Sequence, residues 1–159
     1  MKEGNGTIRT NVQGQSGGAG VDVLIGGAGD DTYRLDRGAG LDTVMENDAT
    51  AGNTDVVIFL SGVATGQIWF RRVGNDRDLE ASILGTSDRF VFQNWYQAVQ
   101  YHVMQFKITD SNKTLTTTQT AFASLVQTMA SYNPGAGATS LADVIPSQTE
   151  RDNLIAAWQ

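Results

Sequence analysis

The sequence predicts a mainly β protein: a short parallel β-roll that continues into an antiparallel β region, with one or two C-terminal α-helices. Three observations predict it. A nine-residue unit bearing glycine and aspartate occurs twice in tandem from Gly17, and an altered third copy comes after it. From Asp55 to about Thr116, β-branched and aromatic runs alternate with turn formers. Beyond that point the apolar residues take up a helical period. The chain of 159 residues therefore divides into residues 1–16, 17–54, 55–116 and 117–159.

Residues 1–16 are polar and glycine-dotted, with Thr7, Ile8 and Val12 able to add an irregular strand. The repeat then begins. Gly17-Gly18-Ala19-Gly20-Val21-Asp22-Val23-Leu24-Ile25 is followed directly by Gly26-Gly27-Ala28-Gly29-Asp30-Asp31-Thr32-Tyr33-Arg34. After Leu35 and Asp36 comes Arg37-Gly38-Ala39-Gly40-Leu41-Asp42-Thr43-Val44-Met45, and Gly52-Asn53-Thr54-Asp55 is a degenerate remnant. Glycines let the chain turn with positive φ. The residues after each aspartate extend into a short strand whose middle member (Leu24, Tyr33 or Val44) points into a core. Loop, strand, loop, strand generates a flattened coil with two repeats per turn, which stacks copy one over copy three and brings Asp22 near Asp42.

Val56–Leu60 is an apolar strand, and Gln67–Val73 and Leu79–Leu84 flank the turn cluster Gly74–Asp78 as a hairpin. Arg89–Trp95 and Tyr101–Ile108 read as two more strands. Phe122, Leu125, Val126 and Met129 recur at helical spacing, which predicts a helix over about Thr118–Tyr132, ended by Asn133-Pro134-Gly135. Gly135–Thr139 reads as a linker. Ser147 and Glu150 form a capping box for a second helix with Leu154, Ile155 and Trp158 on its apolar side.

The net charge of −6 has one source. Eight acids and two arginines lie between Gly17 and Asp55, and the rest of the chain is neutral. A cation site concentrates charge in this way. Nucleic acid is disfavoured as a partner because no basic patch is present. With no cysteine and one histidine, the donors are carboxylates and backbone carbonyls, an oxygen-only set that suits Ca²⁺ over Mg²⁺ and nearly excludes zinc. The candidate metal residues are Gly18, Gly20, Asp22, Gly27, Gly29, Asp31, Gly38, Gly40 and Asp42. No apolar run is long enough for a membrane span, and no apolar signal segment succeeds Met1–Gly4.

The tandem units fit G-G-x-G-x-D-x-U-x, with U large and apolar. This pattern resembles the RTX family, the calcium-binding nonapeptide repeat proteins of bacteria. Gln67–Phe70 through Gly74–Leu79, then Arg89–Tyr96, resembles the haemolysin-type calcium-binding-related domain that often comes after such repeats. The resemblance implies a non-catalytic Ca²⁺-dependent folding module, secreted or at the cell surface, from the C-terminal end of a larger toxin, adhesin or enzyme. It also implies that the helical C-terminal region carries an uncleaved signal for the type I secretion machinery.

Two other readings stay open. Trp69, Trp95, Tyr96 and Tyr101 could form an aromatic platform for a sugar or peptide, with core packing as the alternative role for these rings. An enzyme reading has little to anchor it. His102 stands alone in a predicted strand, and no G-x-S-x-G, H-E-x-x-H or P-loop occurs.

Overall fold

The computed structural model describes Thr7–Arg9, as backbone, and residues 16–159. Val12, expected to join an irregular first strand, lies outside the described residues. Strand β1 (Thr7–Arg9) does form, pairing parallel to β2 (Val23–Ile25). The repeat copies supply β2, β3 (Thr32–Leu35) and β4 (Leu41–Met45), each just after its aspartate or beginning beside it. Odd and even copies feed different sheets. β2 pairs parallel with β4, Leu24 opposite Val44, while β3 pairs parallel with β5 (Val56–Phe59), Tyr33 opposite Val57. The middle residues Leu24, Tyr33, Val44 and Val57 are all fully buried in the hydrophobic core.

Parallel stacking does not stop where the repeats stop. The hairpin strands β6 (Ile68–Val73) and β7 (Asp78–Ile83) are antiparallel, with a turn in which Gly74, Asn75 and Asp76 all have positive φ. β8 (Arg89–Phe92) then lies antiparallel to β7 on one side and parallel to β4 on the other. In the second sheet β9 (Gln105–Ile108) pairs parallel with β5, and β10 (Lys113–Thr116) closes a hairpin onto β9. The result is a six-stranded sheet, β1-β2-β4-β8-β7-β6, and a four-stranded sheet, β10-β9-β5-β3. The mainly β class with C-terminal helices agrees with the sequence reading. The expected antiparallel region is mixed, because β8 and β9 continue the parallel stacks of β4 and β5.

Arg89–Phe92 ends earlier than predicted because Asn94 turns the chain at φ 59°. The strand expected from Tyr101 starts only at Gln105. Val99–Tyr101 is a 3₁₀ turn, and His102 stacks on Trp95, ring centroids 4.2 Å apart, while its Nε2 donates to the Trp95 carbonyl at 2.7 Å. The lone histidine thus fastens this loop to the core.

Helix α1 (Thr120–Met129) buries all four residues of the predicted apolar stripe. Phe122 meets Phe70 of β6 edge-on at 5.4 Å, and the Phe70 N–H reaches the Met129 sulfur at 3.2 Å, so α1 covers the hairpin face. Helix α2 (Gln148–Ala156) begins after Ser147, whose hydroxyl accepts the Glu150 N–H. Only this half of the capping box forms. The Glu150 carboxylate instead accepts from the Tyr132 hydroxyl at 2.8 Å, tying α2 to the end of the α1 segment. The glycine-rich linker leads into a short turn, Leu141–Asp143, where Asp143 accepts the Thr139 and Ser140 N–H groups. The core is continuous across residues 54/55 and 116/117, running from Leu24 to Trp158. Among the described residues no helix is long and apolar enough to cross a membrane.

Candidate metal centre

Two clusters of carboxylates arise where the parallel pairs β2–β4 and β3–β5 bring the segments that precede them side by side. On the first face, loop 17–22 meets loop 37–42. Gly20 and Gly40 bridge in parallel, the Gly20 N–H donating to Ala39 O and the Leu41 N–H to Gly20 O, both at 3.0 Å. The six predicted site glycines (Gly18, Gly20, Gly27, Gly29, Gly38 and Gly40) all adopt positive φ. At Gly40 there is also no room for a side chain, since a Cβ would stand 2.2 Å from Gly20 O. The register then delivers Asp22 to Asp42. The Asp22 N–H donates to Asp42 Oδ1 at 3.0 Å, and both residues are buried. Both Asp22 carboxylate oxygens and Asp42 Oδ2 have no hydrogen-bond partner.

Asp88 completes this face. Its two oxygens accept the Gly38 and Gly40 N–H groups at 2.9 and 3.0 Å, so it clamps the third loop. Arg37, standing where the first glycine of the copy would be, reaches away to Gly62 O and Gln67.

On the second face, loop 26–31 lies beside residues 46–55. The Asp31 N–H donates to Asp55 Oδ1 at 2.9 Å, matching the Asp22–Asp42 contact of the first face. Gly29 N–H donates to Asp48 Oδ2 at 2.7 Å, and the Asn53 amide donates to both Asp48 and Asp55. Glu46, at the end of β4, accepts from the Tyr33 hydroxyl at 2.5 Å. Asp31, Glu46 and Asp55 are buried and offer oxygens that all lie within 4.8 Å of one another. Asp31 Oδ2 has no partner.

Burial raises the pKa of Asp42 to about 6, reinforced by Asp22 and Asp88 and opposed by the Asp22 N–H. Burial likewise raises Asp55 to about 6 and Glu46 to about 7, each reinforced by its acidic neighbours, and raises Asp31. Asp48 goes the other way, held down by hydrogen bonds from Thr50 and Gly29. Groups with raised folded-state pKa values bind more protons folded than unfolded, so the metal-free protein gains stability as pH falls through 7 and 6 toward the ordinary carboxylate range. Acidification from pH 7.5 to 5.5 is therefore expected to raise the melting temperature in chelator. A metal-free protein that loses stability over that window would contradict the electrostatic account.

All three predicted aspartates thus fall in the two clusters. The sequence reading missed Glu46, Asp55 and Asp88 as site residues. Asp55 had a visible signal in the remnant Gly52-Asn53-Thr54-Asp55, and Glu46 and Asp48 lie in the acidic quarter of the chain. Asp88 had none. Of the four candidate aromatic residues, Trp69 and Trp95 are only 2% and 3% exposed, as inward-facing core rings. Tyr96 is half-buried beneath the Arg72 guanidinium, 3.8 Å from its ring centroid, and Tyr101 is half-buried at the end of its 3₁₀ turn. The chain matches no model of a known protein family.

Proposed function

We propose that this chain is a non-catalytic, calcium-binding module of the RTX type, whose repeats close into a parallel β-roll when Ca²⁺ binds. The observation that carries the reading is the set of buried carboxylate oxygens on Asp22, Asp31 and Asp42 with no hydrogen-bond donor. An unpaired buried carboxylate costs several kcal/mol. Here such groups face one another across stacked loops, and among the described residues the ion pairs, Arg71–Glu80 and Arg89–Glu80, involve none of them. A hard cation taking several oxygen ligands removes this cost. Asp22 and Asp42 would hold one ion, and Asp31 and Asp55 a second. The Gly20 and Gly40 carbonyls each accept a ladder N–H, from Leu41 and Arg89, and keep one lone pair for an ion.

The charge argument makes the module a folding switch. Extracellular calcium modules bind at about 10⁻⁴ to 10⁻³ M, so at about 1 mM Ca²⁺ and Kd near 0.1 mM each site adds about 1.4 kcal/mol of stability. At sub-micromolar calcium that contribution vanishes. The module belongs, on this reading, to the C-terminal end of a larger secreted or cell-surface bacterial protein exported by type I machinery while extended. The folded form buries Trp158 and pairs Gln159 with Thr114, so the C-terminal segment is free only before closure.

The test is a calcium titration of chelator-treated protein, followed by far-UV circular dichroism and melting temperature, with Mg²⁺ as control. A cooperative gain of β-structure at sub-millimolar to millimolar Ca²⁺, absent with Mg²⁺, is expected. An unchanged melting temperature would sink the reading.

A further inference from the structure

One member of the second cluster lies outside the repeat formula. Glu46 directly succeeds β4 and is brought to Asp31 and Asp55 by the corner where the chain leaves the first sheet. Its Oε1 accepts the Asn47 N–H at 3.0 Å and its Oε2 accepts the Tyr33 hydroxyl. Asp55 spends one lone pair per oxygen, on Asp31 N–H and on the Asn53 amide. Asp31, 2% exposed, leaves Oδ2 without any donor.

These oxygens converge. The point where a Cβ on Gly26 would stand is 2.2 Å from the Tyr33 hydroxyl, 2.5 Å from Glu46 Oε2 and 2.9 Å from Asp31 Oδ2, so the absence of a side chain at Gly26 is what lets these oxygens gather. The three ligand oxygens lie within 4.8 Å of one another, close enough to share one Ca²⁺ with ligands at about 2.3–2.6 Å.

We propose that Asp31, Glu46 and Asp55 form a discrete calcium site, with Glu46 a direct ligand and Tyr33 positioning it. Three carboxylates converge there, and affinity in such sites rises with ligand charge. The Tyr33 hydroxyl fixes the Glu46 rotamer before the ion arrives. This inference rests on the calcium reading above.

Titration calorimetry of the full chain with CaCl₂ separates the two. Wild type is expected to bind calcium at separable sites, Glu46→Gln to weaken one of them at least tenfold, and Asp42→Asn to leave that one in place. An unchanged isotherm for Glu46→Gln, with wild type binding calcium, overturns this inference and leaves the function standing. A wild type that binds no calcium overturns both. If Glu46→Gln does not fold, Tyr33→Phe retains all three carboxylates and is read by terbium emission excited through tyrosine. Loss of most of that emission is the expected result. Emission at wild-type strength would place the ion elsewhere and overturn the assignment.

Discussion

Replacing Gly40 with alanine is expected to prevent the first face from closing, in calcium and in chelator alike. The new Cβ would meet Gly20 O at 2.2 Å, and that oxygen is backbone held by the Leu41 N–H, so it cannot swing aside. The φ of +90° adds strain of its own. Separating the loops would break the Gly20–Gly40 bridge and the Asp22–Asp42 hydrogen bond beyond it. The expected loss is at least about 3 kcal/mol, a large fraction of the stability of a domain this size. Gly29→Ala is the control. Its φ is +105°, but nothing lies within 4 Å of its Cβ position, so only backbone strain of about 1–3 kcal/mol applies. Denaturant melts of the two variants in saturating calcium should therefore differ clearly. Equal losses would mean that the close approach of the loops contributes nothing.

The contrast between these two glycines shows what sequence could and could not convey. The repeat formula specifies turn, aspartate and strand in phase, which was enough to predict Leu24, Tyr33 and Val44 as core and Asp22 beside Asp42. The formula is local, though, and stacking is not. Copy two finds its partner in residues 46–55, where only the remnant around Asp55 keeps any repeat character. β8 continues the stack of β4 from more than forty residues away, across an antiparallel hairpin. Asp88 clamps Gly38 and Gly40 from there, and nothing in Thr86-Ser87-Asp88 distinguishes it from an ordinary turn. Glu46 was counted as charge but not placed, because its role depends on the corner after β4 and on the reach of Tyr33. The aromatic residues were misleading for a related reason. Alternation along β6 and β8 shows that some rings face inward, but which of them remain exposed depends on α1 lying over β6.

Asp42→Asn is expected to have different effects in the two states of the module, and that difference separates a metal ligand from a structural acceptor. Asn keeps an oxygen for the Asp22 N–H, so the loop-to-loop hydrogen bond survives. It replaces the partnerless Oδ2 with an N–H₂ group and removes a charge that Asp22 and Asp88 oppose. In chelator at pH 7.5 the variant should melt higher than wild type, since Asp42, with a pKa of about 6, is ionised there at a cost. Below about pH 5 wild-type Asp42 is itself protonated in the folded state, and this advantage should disappear. In millimolar calcium that advantage shrinks. Loss of one site removes about 1.4 kcal/mol of ligand-driven stability, and the calcium-induced rise in melting temperature shrinks accordingly. Should Asp42→Asn lower the melting temperature equally with and without calcium, Asp42 would be a hydrogen-bond acceptor of the fold and the charge on the first face would need another explanation. A variant whose advantage over wild type is large without calcium and reduced with it is the behaviour of a loop whose native charge is tolerated for the sake of the ion.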